Sequence, residues 1–192
     1  KTRKYTSKHG LSIDDTLTYI FGTRNLPLFE KLTDNVDNTS WDKTYIYGAQ
    51  YAPIAMLYKG KTYFFVRDYQ SSLRNVVNAT EGIVEETYKY TPFGEILYSN
   101  HQATEVKHKL GTYLYTGQEY DQATKLYNFK ARLYHPVKKI FLTPDPKHIN
   151  YSPYTYTSNN PINLTDPSGM APVEFNKGMI IDDIEAGTSH NV

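Results

Sequence analysis

The sequence predicts an all-β fold. Short segments rich in β-branched and aromatic residues recur about every ten residues, and Gly and Pro separate them. Tyrosine is frequent, with 19 copies beside 8 Phe and 1 Trp in 192 residues, and it suits a strand whose buried ring carries a hydroxyl to a polar partner. Residues 54–58 and 61–66 form the clearest hairpin, because Lys59-Gly60 between them supplies the positive φ that a two-residue turn requires.

The first forty residues carry the weakest pattern. Residues 11–21 predict one or two strands that end at Gly22, whereas residues 25–32 predict a short helix or an irregular turn. Residues 33–40 are polar and predict a loop. This part of the chain therefore says least about the fold.

The strand pattern is clearer from Trp41 onward. Further strands are predicted at 44–47, 73–78, 83–90, 95–98, 112–115 and 126–134, with a turn at 91–94. Residues 99–110 are polar and are expected to be exposed. His101 and His108 lie in that segment, but no cluster of acidic residues and histidines completes a ligand set. The sequence therefore predicts no metal site and no cofactor.

The composition argues against several classes of function. The net charge of +1 gives no electrostatic reason to expect nucleic acid or a membrane surface as a partner. No apolar run reaches the length of a membrane span. Cysteine is absent, so neither a disulfide framework nor thiolate chemistry is expected. Because the chain does not begin with Met, we expect it to be a piece of a longer polypeptide.

Two Asp-Pro dipeptides stand out between residues 143 and 170. Asp145 lies between Pro144 and Pro146, and Asp166 precedes Pro167, 21 positions later. Proline fixes its own φ and restricts the residue before it, so both aspartates are held on stiff backbone. Asp-Pro and Pro-Ser-Gly also simply form turns, which spacing alone favours. The other interpretation is a pair of carboxylates close enough to share one proton.

Six motifs in a fixed order indicate a family. They occupy residues 63–76 (YFFVRDYQSSLRNV), 88–95 (YKYTPFGE), 115–121 (YTGQEYD), 126–136 (LYNFKARLYHP), 141–146 (FLTPDP) and 160–170 (NPINLTDPSGM). Together they resemble the C-terminal RHS-repeat-associated core of RHS/YD-repeat proteins, a family that includes bacterial Rhs toxins, C subunits of Tc toxin complexes and, more distantly, teneurins. The chain departs from the family pattern at Lys130, His135, Lys139, Ile140 and His148. Lys130, Lys139 and His148 stand where the family has glycine, His135 where it has aspartate, and Ile140 where it has arginine.

The resemblance implies a hollow shell. In this family β-hairpins wind into a casing around a toxic C-terminal segment, and the last part of the core curls inward as a plug that resembles an aspartyl autoprotease. Carried over to this sequence, the catalytic pair is Asp145 and Asp166, and the bond cut is Met170–Ala171. The residues that support the motifs are Pro144, Pro146, Pro161, Pro167 and Gly169. One ionised aspartate would activate water, and the other, protonated, would polarise the scissile carbonyl.

The resemblance also implies domains and partners. Residues 1–40 would be the end of preceding repeats or an irregular segment, residues 41–170 the core with its autoprotease-like plug, and residues 171–192 the start of a variable toxin region or a tail. The expected partners are upstream RHS repeats or another chain that completes the shell, the encapsulated C-terminal toxin segment, and a Tc or type VI delivery complex. The expected localisation is that of a bacterial effector, secreted or delivered into a target cell.

Two other functions remain open on the sequence alone. The first is a structural or adhesive YD-repeat module of a bacterial or teneurin-like surface protein, without proteolysis. The departures at Ile140 and His148 favour that alternative, whereas the DPSGM block and the change of composition after it favour self-cleavage. The second is a carbohydrate-binding β domain that uses exposed Tyr and Trp41, which no motif supports.

Overall fold

The computed structural model describes residues 2–6, 14–22, 27–34, 39–48, 52–101, 110–147 and 152–174. The described part of the chain contains β-strands and two short 3₁₀ turns, so the all-β prediction is confirmed. The strands are β1 (Thr2–Thr6), β2 (Asp14–Phe21), β3 (Pro27–Asp34), β4 (Thr39–Tyr47), β5 (Pro53–Tyr58), β6 (Lys61–Arg67), β7 (Leu73–Asn78), β8 (Val84–Tyr90), β9 (Ile96–His101), β10 (Glu119–Asp121), β11 (Leu126–Asn128), β12 (Leu133–His135), β13 (Ile140–Phe141), β14 (Leu164–Thr165) and β15 (Val173–Glu174). The 3₁₀ turns are Tyr115–Gly117 and Thr157–Asn159.

Strands β1 to β9 form one antiparallel sheet in sequence order. The predicted hairpin is present as β5 and β6, with Ala55 opposite Phe64 and Tyr58 opposite Lys61. Its two turn residues, Lys59 and Gly60, have φ values of 48° and 73°, as a two-residue turn between twisted strands requires. Each strand therefore pairs with its neighbours in the chain, and the sheet is built from local contacts.

The structure corrects the prediction for residues 25–40. Strand β3 pairs with β2 and β4, so the helix or irregular turn predicted for residues 25–32 is wrong from Pro27 onward. The predicted loop is also wrong at residues 33–34 and 39–40, which belong to β3 and β4. Glu30 is buried near the middle of β3, and a carboxylate at an inward position conceals the apolar alternation of a strand. Residues 23–26 and 35–38 lie outside the described residues.

A second layer, made of residues 110–147 and 152–174, packs on one face of the nine-stranded sheet. It contains a four-stranded sheet (β10 to β13) and a two-stranded sheet (β14 and β15). The strand predicted at 112–115 is instead one isolated bridge, Tyr113 to Glu119, followed by a 3₁₀ turn. The strand predicted at 126–134 is two strands, because Lys130 takes a φ of 69° and turns the chain between them. Of the segment predicted to be exposed, residues 102–109 lie outside the described residues, and Leu110 is buried.

The core between the two layers is largely aromatic. It consists of Tyr45, Met56, Tyr58, Tyr63, Phe65, Leu73, Val76, Tyr88, Leu110, Leu114, Tyr115, Tyr127, Phe129, Tyr134, Phe141 and Tyr156. The rings of the second layer meet edge to face or tilted, as Phe129 and Phe141 do at 5.5 Å and 88°, an arrangement that the ring quadrupoles favour. The tyrosine-rich composition thus serves the packing of one layer on the other.

Tyrosine hydroxyls fasten the 91–95 turn of the first sheet to the second layer. The hydroxyls of Tyr115, Tyr127 and Tyr134 donate to successive backbone carbonyls of Pro92, Gly94 and Phe93 at 2.7, 2.9 and 2.9 Å. Gly94 has a φ of 85°, and a Cβ there would collide with the ring of Tyr115. The glycine of this turn is therefore required both by backbone conformation and by close approach.

A buried polar network joins the layers farther along the sheet. Glu30 accepts hydrogen bonds from the hydroxyls of Tyr45 and Tyr113 at 3.0 and 2.9 Å. Lys43 Nζ donates to Leu110 O and to Thr112 Oγ1, both at 3.2 Å. Burial raises the pKa of Glu30 and lowers the pKa of Lys43, and the charge of each opposes the shift of the other. These contacts fix the start of the second layer on the first sheet.

Candidate functional site

The structure brings Asp145 and Asp166 to one arginine. Arg132 Nη2 lies 3.3 Å from Asp166 Oδ2 and 3.8 Å from Asp145 Oδ2. Both aspartates are 1% exposed and Arg132 is 4% exposed. The two carboxylates that the sequence suggested as a pair therefore flank a single buried guanidinium group, with its positive charge between them.

Arg132 also holds the backbone near the expected cleavage position. Its Nε donates to Gly169 O at 2.5 Å, and its Nη1 donates to Pro153 O at 3.2 Å. The guanidinium carbon lies 3.7 Å from the ring centre of Phe141, so an aromatic face covers it. Planar bidentate donors and a delocalised charge suit arginine to such a buried position better than lysine.

Arg132 belongs to the motif at residues 126–136, but its sequence position did not identify it as a residue of the site. The expected arginine was at position 140, where this chain has Ile140 in β13, opposite His135 and with its side chain exposed. The sequence did contain a signal for Arg132. An arginine inside a segment of buried aromatic residues needs a buried carboxylate as its partner. The arginine that contacts both aspartates is thus present, and it lies at 132.

The backbone around Asp145 fixes its side chain. Asp145 N donates to Pro153 O and Lys147 N donates to Asp145 Oδ1, both at 2.8 Å. Asp145 Oδ2 is buried and accepts no hydrogen bond from the described residues. Pro144 and Pro146 flank it and are exposed, whereas His148 lies outside the described residues. One oxygen of Asp145 is therefore held by the backbone, and the other faces Arg132.

Asp166 closes the turn that contains Met170 and Ala171. Its Oδ1 accepts the backbone N–H groups of Met170 at 3.1 Å and of Ala171 at 3.2 Å, and the hydroxyl of Ser168 donates to the same oxygen at 3.4 Å. The predicted scissile bond joins Met170 to Ala171, so the nitrogen of that bond is a direct neighbour of Asp166. The carboxylate of Asp166 lies on the amide N–H side of the bond, whereas the sequence suggested that one of the two aspartates polarises the carbonyl.

The remaining motif residues shape the same turn. Gly169 has a φ of 70°, and a Cβ there would lie 2.5 Å from Phe129 O, so only glycine fits. Pro167 O accepts a hydrogen bond from Lys130 Nζ at 3.1 Å. Pro161 is buried at the start of the loop that carries Asp166. The turn can therefore present one peptide bond to the carboxylates and the guanidinium.

The described residues contain no group of three or more His, Asp or Glu side chains arranged to bind a metal ion. No helix in that part of the chain has the length and hydropathy of a membrane span. Trp41 is half-buried against the core, with Lys59 Nζ 5.7 Å from its ring centre. Acid–base chemistry by Asp145 and Asp166, with electrostatic help from Arg132, is what the arrangement can perform.

Comparison with solved structures shows the same fold. The Tc holotoxin pore of Photorhabdus luminescens, which carries a substitution in its TccC3 component, matches with a TM-score of 0.68 and 22% identity. The match covers 90% of this chain and 8% of that chain. At this identity the likeness establishes the fold, and the β-shell architecture expected from the sequence is supported.

Relatives of known name include an insect surface protein and a bacterial nuclease. Salivary gland surface protein 1 of Aedes aegypti is 36% identical over 115 residues, which are 59% of this chain and 3% of that protein. The tRNA(Glu)-specific nuclease WapA of Bacillus subtilis subsp. natto is 30% identical over 145 residues, which are 71% of this chain and 6% of that protein. The chain therefore spans only a small part of the length of either relative.

The family model described as the teneurin YD-shell matches residues 33–170. This range includes the six motifs from which the resemblance was first inferred, as well as Arg132 and both aspartates. Since the match extends over most of the chain, the protein belongs to the teneurin YD-shell family of RHS/YD-repeat proteins.

Proposed function

We propose that this chain is the C-terminal part of an RHS-repeat shell that encloses a C-terminal toxin segment and frees it by cutting the Met170–Ala171 bond. The observation that carries the proposal is the convergence of Asp145 and Asp166 on Arg132, while Asp166 also contacts the nitrogen of Ala171. If the two Asp-Pro segments only formed turns, there would be no need for two buried carboxylates beside one guanidinium group. The similarity to a Tc holotoxin and to a WapA nuclease supports a toxin context.

The reaction is the hydrolysis of one peptide bond. Asp145 takes a proton from a water molecule through its Oδ2, and the water oxygen bonds to the carbonyl carbon of Met170. The proton then passes to the nitrogen of Ala171 by way of Asp166, whose Oδ1 lies 3.2 Å from that nitrogen, as the carbon–nitrogen bond breaks. Met170 gains a carboxyl group, Ala171 gains an amine, and one water molecule is consumed.

Arg132 supports this reaction through charge and position. Its guanidinium group stabilises negative charge that develops beside it, and its burial keeps that effect from being screened by bulk solvent. It also fixes the carbonyl of Gly169, one residue before the scissile bond. Because substrate and catalytic groups share one chain, high effective concentration replaces substrate affinity, and each molecule reacts once.

Substitution of the aspartates tests the proposal. In the full chain, Asp166→Asn and Asp145→Asn each remove one acid–base group at nearly constant size, and we expect each to leave only uncut protein on a denaturing gel. Asp42→Asn is the matched control, because Asp42 is exposed on β4, and it should be cut like the wild type. Cutting of both site variants at the wild-type rate would overturn the mechanism.

A non-proteolytic shell module is the second candidate. It is favoured by the similarity to a salivary gland surface protein, the more identical of the two relatives reported above. In that function the Asp145–Arg132–Asp166 cluster only closes the end of the shell. A wild-type full chain that stays uncut would select this candidate.

The partners follow from the edges of the sheet. Strands β1 and β9 lie at the two edges of the described nine-stranded sheet, and an unpaired edge invites another strand. We propose that upstream RHS repeats or another chain pair there to complete the shell, and that residues 171–192 begin the toxin region. Secretion, or delivery into a target cell by a Tc or type VI complex, would follow from that role.

A further inference from the structure

The loop that carries Asp166 is held by two glutamine side chains that the proposed reaction does not use. Gln70 Nε2 donates to Pro161 O at 2.5 Å and to Ile162 O at 3.2 Å. Gln118 Nε2 donates to Pro167 O at 3.3 Å, next to Asp166 in the chain. Both glutamines are nearly buried, at 9% and 6% exposure. The loop is thus fixed near its start and beside its aspartate.

The turn between β6 and β7 directs Gln70 toward the loop. Asp68 Oδ1 accepts the backbone N–H groups of Gln70 and Ser72 at 3.0 and 2.9 Å, and Asp68 Oδ2 pairs with Arg74 Nη2 at 2.8 Å. Ser71 in the middle of this turn has a φ of 64°. The motif at residues 63–76 therefore builds a rigid support for one buried amide.

Gln118 stands on a second turn that is joined to the first. Its backbone N–H donates to Tyr115 O at 3.0 Å, and Leu114 N donates to Gln118 O at 2.9 Å. Thr116 N donates to Ser72 Oγ at 3.0 Å, which links the 3₁₀ turn to the β6–β7 turn. The two glutamines therefore belong to one braced unit that joins the β6–β7 turn of the first sheet to the 3₁₀ turn of the second layer.

We propose that Gln70 and Gln118 are positioning residues for self-cleavage, which set the Asp166 loop against Arg132. This inference rests on the proposed function. Small displacements of reacting groups cost large factors in rate, and the two glutamines hold the loop carbonyls of Pro161, Ile162 and Pro167. When Gln118 is changed, Pro167 O keeps Lys130 Nζ as a donor. When Gln70 is changed, Ile162 O keeps the Tyr69 hydroxyl, but Pro161 O loses its one donor among the described residues. We therefore expect the larger effect from Gln70.

The test replaces each amide with a carboxyl group. In the full chain, Gln70→Glu and Gln118→Glu turn a donor into an ionised acceptor that repels the loop carbonyls at neutral pH. We expect cutting after in vitro translation, followed on denaturing gels, to slow about tenfold or more for Gln70→Glu and somewhat less for Gln118→Glu. At acidic pH the carboxyl group becomes neutral and donates again, so the gap from the wild type narrows.

Gln122→Glu is the matched control, because Gln122 is exposed in the β10–β11 turn and receives the same change of charge. A general loss of stability would not restore cutting on acidification. Site variants that cut at the rate of Gln122→Glu across the pH range would overturn the inference. The wild type could remain uncut while hydrogen exchange, described next, still shows that the glutamines position the loop. In that case the proposed function fails and the positioning of the loop stands.

Hydrogen exchange measures the positioning of the Asp166 loop independently of cutting. In an uncut Asp145→Asn background, Gln70→Glu and Gln118→Glu should speed exchange at the amides of Met170 and Ala171, which donate to Asp166. Peptides from β5 to β8 should keep their protection, which separates a shifted loop from an unfolded chain. Unchanged exchange at Met170 and Ala171 would show that the glutamines do not position the loop.

Discussion

The nine-stranded sheet and the layer packed on it are built in different ways. In the sheet, consecutive strands pair by simple antiparallel connections. In the second layer, strands are two or three residues long, and backbone with positive φ recurs at non-glycine residues. Those residues are Thr116, Lys125, Lys130, Lys139, Thr157, Ser158 and Asn159. The regular sheet thus serves as the support, and the irregular layer places the site.

Regular pairing and strained turns contribute to stability in different ways. A sheet of local pairs is stable through many repeated contacts, so the loss of one exposed contact changes little. The second layer depends on a few buried groups, and unusual backbone persists where surrounding contacts determine it. The changes below test this difference, from the largest expected effect to the smallest.

Arg132→Leu should have the largest effect on stability. It leaves the carboxylates of Asp145 and Asp166 buried without their cation, and removing one partner of a buried ion pair costs about 3–5 kcal/mol. Arg74→Leu, which breaks a partly exposed pair with Asp68 on the sheet, should cost no more than about 1 kcal/mol. Urea unfolding of both variants measures the difference, and equal losses would contradict the contrast between the layers.

Gly94→Ala and Gly60→Ala form a matched pair. Both glycines have positive φ, at 85° and 73°, but a Cβ at Gly94 collides with Tyr115 whereas a Cβ at Gly60 meets nothing within 4 Å. We expect Gly94→Ala to cost about 3 kcal/mol from backbone strain and overpacking together. Gly60→Ala should cost about 1–2 kcal/mol from strain alone. Chemical denaturation gives both values, and a smaller cost for Gly94→Ala would mean that the layers pack less closely.

Alkaline pH should separate the two layers. Burial raises the pKa of Tyr127 and of Tyr134, and raises the pKa of Tyr156 to about 12. In the unfolded chain a tyrosine ionises near pH 10, so the stability from these buried phenols is fully present below that pH. It is lost as the pH rises above about 10 toward the folded pKa values.

Tyrosinate absorbance and circular dichroism recorded together test this prediction. Ionisation of the buried tyrosines should coincide with loss of structure, because Tyr127 and Tyr134 donate to the 91–95 turn of the first sheet. Complete ionisation near pH 10 in a chain that stays folded would contradict it.

Lys125→Gly should have the smallest effect and the opposite sign. Lys125 is exposed and has a φ of 61° in the β10–β11 turn, where glycine adopts the same backbone without a Cβ penalty. We expect a gain of about 0.5–1 kcal/mol in the free energy of unfolding. Thermal unfolding measures it, and a loss of stability would show that this turn is not strained.

The sequence predicts the sheet where polar and apolar residues alternate plainly. The β5–β6 hairpin follows from its alternation and from Lys59-Gly60, and both are local properties. Strand β3 was not predicted because one of its buried positions holds Glu30, whose partners Tyr45 and Tyr113 come from other elements. The backbone at Thr116 was not predicted either, since a β-branched residue disfavours positive φ and a contact with Ser72 holds it there.

The candidate site was predictable in part. Asp145 and Asp166 were suggested by stiff Asp-Pro segments and by a family resemblance, and the structure brings them together on Arg132. Arg132 was not identified, because its contact with Asp166 joins residues 34 positions apart, and spacing does not reveal such a contact. Lys130 and Lys139, which stand where the family has glycine, both keep positive φ, so the backbone conformation persists without the residue that favours it.

The most direct test of self-cleavage is to sequence the new N-terminus that it creates. The full-length wild-type chain should yield a fragment that begins Ala171-Pro172-Val173, together with a fragment that ends at Met170. The Asp166→Asn chain, prepared in the same way, should yield neither. A wild-type chain that gives no fragment beginning at Ala171, or an Asp166→Asn chain that gives it in full amount, would contradict the account.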